Sequence, residues 1–185
     1  MISSRAKAGF DNMVMLGMKA ALAPSADEVT ELVALPDMRL PPESHAALLS
    51  IASLTFRMLI VLHFSPNAAT RQHFARLSRQ KMEDLSDQSF LDAICEAGNL
   101  CCGGVNRDLG TIFPWVGMST PNIIDSRCTA HLGVLKYGHL RHFRISVTDS
   151  PPLFVTLCVS ESEDLDFDFQ IPAVAEQGTG ELELF

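Results

Sequence analysis

The chain has 185 residues, 47% of them hydrophobic, five cysteines and a formal net charge of −8. That is enough chain for one sizeable core and little for a second. The negative balance argues against nucleic acid or an anionic membrane as main partner. An odd number of cysteines, without CxxC or His/Cys ligand spacing, argues for reduced thiols in a cytoplasm rather than a disulfide framework or a metal site.

Arg5 and Lys7 precede an apolar run that loosely mimics a signal peptide, but Asp11, Asn12 and Lys19 interrupt it. Phe10, Met13, Val14, Gly17, Met18 and Ala21 recur instead at helical spacing, predicting an amphipathic helix. Nowhere do 18 consecutive apolar residues occur, so no membrane span is expected. Val29 to Leu35 reads as a strand closed by Pro36-Asp37, and Pro41-Pro42-Glu43-Ser44 as a loop. The apolar run from Ala46 to Phe64 is too long for one strand. A break at Arg57 is expected, with one strand ending near Phe56 and another over Met58 to Phe64. His63 reads as a satisfied or edge-facing histidine, since no second ligand accompanies it.

Ser65-Pro66 predicts a helix start, a capping serine with proline at the first helical position, and the helix should run to about Arg79 or Lys81. Its arginines and lysine read as a solvated face, with partner steering as the alternative.

The richest stretch runs from Ser86 to Leu109. Ser86 is a good N-cap, and Asp87 suits the positive end of the helix dipole. Phe90, Ile94, Ala97, Cys101 and Val105 form one apolar arc at 100° per residue. Opposite it, Asp92, Glu96, Asn99, Gly103 and Asn106 stack along one face. An ordinary solvated face would carry Lys, Arg, Glu and Gln. Gly98, Gly103 and Gly104 cost about 2–3 kcal/mol in helix propensity, and close approach of another backbone is the usual reason for such glycines.

After Gly110 the composition turns strand-like. Ile112 to Met118, Asn122 to Cys128, His131 to Tyr137, Leu140 to Thr148 and Leu153 to Val159 are the expected strands, with Gly138-His139 as a hairpin tip. His131, His139 and His142 lie close in sequence, but without a carboxylate third ligand or helical spacing they predict no metal site. No lysine or arginine follows Arg144. Leu165, Phe167 and Phe169 alternate with acids, so an edge strand is expected there, followed by an acidic tail.

Glu96-x-x-Asn99-x-x-x-Gly103 resembles the E-x-x-N-x-x-x-G signature of the CheC/CheX/FliY chemotaxis phosphatases, which dephosphorylate the response regulator CheY. The motif lies near the middle of a long amphipathic helix, as in that family. The extended Met118 to Ile124 segment, carrying Pro121, looks like the strand that follows the family's motif helix. The resemblance covers roughly residues 30 to 160. No second E-x-x-N copy is present, so the chain is most like the single-motif CheX type.

The resemblance implies an α/β fold, with two long helices, roughly 66–80 and 87–109, on one face of a largely antiparallel sheet. It implies Glu96 and Asn99 as the catalytic pair, and Asp92, Gly103 and Asn106, which share their stripe by helical spacing, are expected to complete a partner-binding face. It implies a homodimer acting on a phosphorylated CheY-like receiver, with no cofactor or metal of its own and Mg²⁺ on the receiver. The chemistry suits the residues. In phosphoryl transfer the protein mainly positions and stabilises charge, and a carboxamide can orient a water without adding charge. A glutamate three residues away shares that face and can pair with a cation on the regulator. The expected organisation is an N-terminal helical extension (1–28), a CheX-like phosphatase domain (29–160) and an acidic strand and tail (161–185). The alternative function is a non-catalytic adaptor that holds a receiver or flagellar switch component through the same helix face.

Overall fold

The computed structural model describes residues 1–35, 43–169 and 171. Its centre is built from the two most apolar stretches of the sequence. FRMLIVLHF forms β3 (Phe56–Phe64) and LFVTLCVSE forms β7 (Leu153–Glu161), paired antiparallel from Phe56/Glu161 to His63/Phe154. Runs this rich in branched apolar residues suit strands covered on both faces. On one side of them lie β6 (His139–Val147) and then β1 (Val29–Leu35). On the other lies β2 (His45–Ala52), followed by the short edge pieces β4 (Gly117–Met118) and β5 (Asn122–Asp125). All pairings are antiparallel. In β6, Phe143, Ile145 and Val147 are buried while Arg144 and Ser146 are not, the predicted alternation. β4 and β5 pair with opposite halves of β2, and Pro121 falls in the gap between them. An edge can carry a residue without an N–H because no further strand needs its hydrogen bond.

Three helices cover one face: α1 (Ser4–Ala21), α2 (Ala68–Leu77) and α3 (Asp87–Gly110). The predicted N-terminal helix is thus no bystander. Phe10, Met13, Val14 and Met18 are fully buried, and the Phe10 ring meets Phe56 edge-on at 5.6 Å and Phe167 at 5.0 Å. A Cβ on Gly17 would stand 2.8 Å from the Cys101 carbonyl oxygen, so α1 and α3 touch backbone to backbone there. The two long helices of the layer are therefore α1 and α3.

The helix predicted over 66–80 is the ten-residue α2, and it starts later than Ser65-Pro66 suggests. Asn67 is its N-cap, with Oδ1 accepting from Thr70 N at 2.9 Å. Ser65 Oγ accepts from Ser44 N instead. The break expected at Arg57 falls at Ser53–Thr55, where Ser53 N donates to Phe56 O at 3.0 Å. Arg57 stays in the ladder between Ala52 and Ser160, because an outward-facing charge does not interrupt a strand.

The strand expected over His131–Tyr137 is a 3₁₀ stretch, Ser126–Leu135, started by Asp125, whose Oδ1 accepts from Arg127 N at 2.9 Å. Gly138-His139 is not a hairpin tip, since His139 already opens β6 opposite Val159. Trp115, on the connection from α3 to β4, adopts φ 59° and is 82% exposed.

Past β7 the alternating acidic segment does not pair as an edge strand. Leu165 makes a single bridge with Ile2, and Leu165 and Phe167 enter the core. Asp164 pairs with the N-terminal ammonium and Asp166 with Arg5. The Arg5 guanidinium, helped by Ser3 Oγ, pulls the Asp166 carboxyl down to about 2. The predicted acidic tail lies outside the described residues.

Candidate functional site on the outer face of α3

Ser86 caps α3, its Oγ accepting from Ser89 N at 3.1 Å, and the expected apolar arc faces inward. Phe90, Ile94, Ala97, Cys101 and Val105 are all buried. Gly98 belongs to the inner side too, where a Cβ would meet Leu49 Cδ1 at 2.8 Å. Gly103 and Gly104 differ: a Cβ on either meets nothing within 4 Å. The close backbone approach that the glycines predicted is found at none of the three: the Leu49 side chain is what meets Gly98, and open space lies over the other two.

Asp92 and Glu96 are exposed, whereas Asn99, Gly103 and Asn106 are half-buried. Asp92 Oδ1 accepts from Gln88 Nε2 at 2.8 Å. Asn106 Oδ1 is enclosed without a hydrogen-bond partner among the described residues. Glu96 and Asn99 are engaged by no side-chain hydrogen bond among the described residues, in contrast to the neighbouring Arg107–Asp108 pair at 2.9 Å. An unpaired acid and an unpaired amide, one helical turn apart, thus face outward together.

Two depressions flank this pair on the α1 side. One, of about 370 Å³, has Glu96 on its wall with Ala20, Leu77 and Arg79 around it. The other, of about 560 Å³, takes in Asn99, Gly103 and Gly104 from α3 and Leu16 and Gly17 from α1. Leu100, 56% exposed, stands between them and lines both. The sequence reading missed α1 and Leu100 as parts of this surface. Leu100 follows Glu96 by four residues, on the rim of the polar stripe, and a leucine in that place was the available signal.

Among the described residues no competing chemistry is assembled elsewhere. Burial pushes the Cys101 thiol up to about 12 and the Cys102 thiol higher still, so neither is a nucleophile. His63, 2% exposed, shares the Thr156 hydroxyl with His142, at 2.8 Å and 2.9 Å. It is satisfied within the sheet, as expected. Among the described residues no three His, Cys, Asp or Glu side chains converge as metal ligands, and no helix is long and apolar enough to cross a membrane.

No protein-family model matches the sequence, and no curated protein matches it. Solved structures do match the fold. A CheC-like superfamily protein from Shewanella sp. PV-4 is 12% identical over 85% of this chain and 99% of its own, with a TM-score of 0.56. A CheX from Borrelia burgdorferi, solved in a complex with CheY, BeF₃ and Mg²⁺, is 14% identical over 83% and 97%, with a TM-score of 0.59. The fold is that of the CheC/CheX proteins. The chemotaxis protein CheX from Vibrio vulnificus agrees, at 14% identity, 82% and 97% coverage and a TM-score of 0.54. The CheC/CheX fold accounts for nearly the whole length of each relative, and it is the fold implied by the motif on α3.

Proposed function

We propose that this chain is a phosphatase that hydrolyses the aspartyl phosphate of a CheY-like receiver in chemotaxis-type signalling. The observation that carries the reading is the outward-facing Glu96/Asn99 pair, unengaged by the other described side chains, on a fold shared with CheX proteins, one of which was solved with CheY.

The Asn99 carboxamide would enter the receiver's site beside the phosphoryl group. Its oxygen would accept a hydrogen bond from the attacking water while its N–H₂ donates to a phosphoryl oxygen, which holds the water in line with the leaving carboxylate. An uncharged group suits that place, since a carboxylate there would repel the phosphoryl oxygens. Glu96 would pair with a receiver cation and fix the register of the amide. Mg²⁺ would arrive with the receiver and offset phosphoryl charge. The homodimer and the cytoplasmic setting belong to the same proposal, and sedimentation of the purified chain reads the former.

The test is the decay of a phosphorylated receiver with and without the protein, across several CheY-like receivers. Acceleration is expected, and Asn99→Ala should lower turnover about 100-fold while binding changes by less than about threefold. Glu96→Ala should chiefly raise KM, by about tenfold. No acceleration with any receiver sinks the phosphatase reading. Binding without acceleration, insensitive to Asn99→Ala, would make the chain an adaptor.

A further inference from the structure

Glu96 and Arg79, the latter just past the end of α2, both line the smaller depression. Arg79 follows the capping residue Ser78, with its N–H donating to Arg76 O at 3.2 Å while Gln80 N reaches Ala75 O at 2.9 Å. That closure puts Arg79 at φ 55°, the left-handed position usually given to glycine. A side chain is kept there at a conformational cost. Arg71, Arg76 and Arg107 each hold a carboxylate, whereas Arg79 has no ion pair among the described residues to offset that cost. Ala20, Leu77, Ala97 and the exposed Leu100 give the same depression an apolar floor, with Arg76 and Ser78 also on its lining. The depression thus offers a cation and an anion that are both unpaired among the described residues, together with apolar surface.

We propose that Arg79 is a second docking charge for the receiver, so that the partner seats across α1, α2 and α3 rather than on α3 alone. The fitting partner surface carries an apolar side chain for the floor, an ammonium or guanidinium for Glu96 and a carboxylate for Arg79. This inference rests on the phosphatase reading and adds to it how the partner is recognised. Two opposite charges fix orientation, which a single charge on one helix does not, and reversing either creates a repulsion with the correct partner. Arg79 acts on docking and lies outside the chemistry.

The experiment measures binding of a panel of purified CheY receivers, each loaded with BeF₃⁻ and Mg²⁺, to the full chain, together with steady-state dephosphorylation. Arg79→Glu should weaken binding at least about tenfold and raise KM, with kcat moving less than about twofold. Arg79→Lys should stay within about threefold of wild type, since it keeps the charge. Arg79→Gly should weaken binding about fivefold yet raise Tm by about 2–4 °C, a pairing that a purely structural role would not produce. If wild type binds a receiver and accelerates its decay, but Arg79→Glu binds within twofold of it, the docking inference is overturned and the phosphatase reading stands. If wild type binds no receiver, both fall.

Discussion

Two polar clusters occupy the helix layer and its seam with the sheet, and they are treated in opposite ways. Beneath α1, Asp11 receives His139 Nε2 at 2.7 Å and Arg141 Nε at 3.3 Å, with Asp11 and His139 both buried. Each partner comes from β6, so the cluster ties the first helix to the sheet. On the outside of α3, Glu96 and Asn99 carry comparable hydrogen-bonding capacity, and their side chains give none of it to the other described residues. Buried polar groups must be paired because the interior offers no water to replace a missing bond. Groups with the same capacity left open, close to glycines with nothing over them, are the ones that the proposed receiver would meet.

The largest break in that contrast comes from Asp11→Ala. It leaves His139 and Arg141 facing an empty place and should lower stability by about 2–3 kcal/mol, or roughly 4–12 °C in Tm, readable by thermal melting followed by circular dichroism. Asn99→Ala should leave Tm within about 2 °C of wild type, because a residue that no internal bond engages falls in the nearly neutral class.

Acid should act on the interior polar groups. Burial, with His142 beside it, pushes His63 down to about 4, and burial with Arg76 does the same to His73. Their unfolded value is near 6.5, so below it the unfolded chain binds protons that the folded chain refuses. The stabilisation is fully present above about pH 6.5 and is lost as the pH falls toward 4. The expected loss is on the order of 2–3 kcal/mol per histidine, measured as a falling urea midpoint across that window. His63→Gln should flatten the profile by about half. Asp125 and Asp166, held near 2 by Arg127 and Arg5 respectively, are exposed and would contribute only below about pH 4.

The smallest expected effect is also the most pointed. Gly104→Ala meets no atom within 4 Å, so it should raise stability by about 0.5–1 kcal/mol while weakening receiver binding. A gain in Tm with no change in affinity would mean that Gly104 is not approached by the partner.

Much of this was legible beforehand. The period of the motif helix placed its buried arc and the exposed Asp92 and Glu96 of its stripe, though not the half-burial of Asn99, Gly103 and Asn106, and the alternation in FRISV oriented β6. What escaped depended on contacts distant in sequence. Helical spacing puts Gly17 on the apolar face of the first helix, but nothing local shows that Cys101 lies against it. The HLGVL stretch has strand composition, yet it is taken up in a 3₁₀ segment that follows the Asp125 cap. Ser65-Pro66 satisfied every local rule for a helix start, but Asn67 was an equally good cap two residues on and Ser65 was drawn to Ser44. Leu165 and Phe167 alternate like an edge strand because one side of that segment is buried, although what buries it is α1 and the core rather than a neighbouring strand.

Trp115 has a practical corollary. As the chain's sole indole, standing in water beyond the end of α3, it would emit at long wavelength already in the native state. Denaturation would therefore pass almost unseen by intrinsic fluorescence. A bound visitor reaching that loop would instead announce itself through a blue shift and protection from acrylamide quenching.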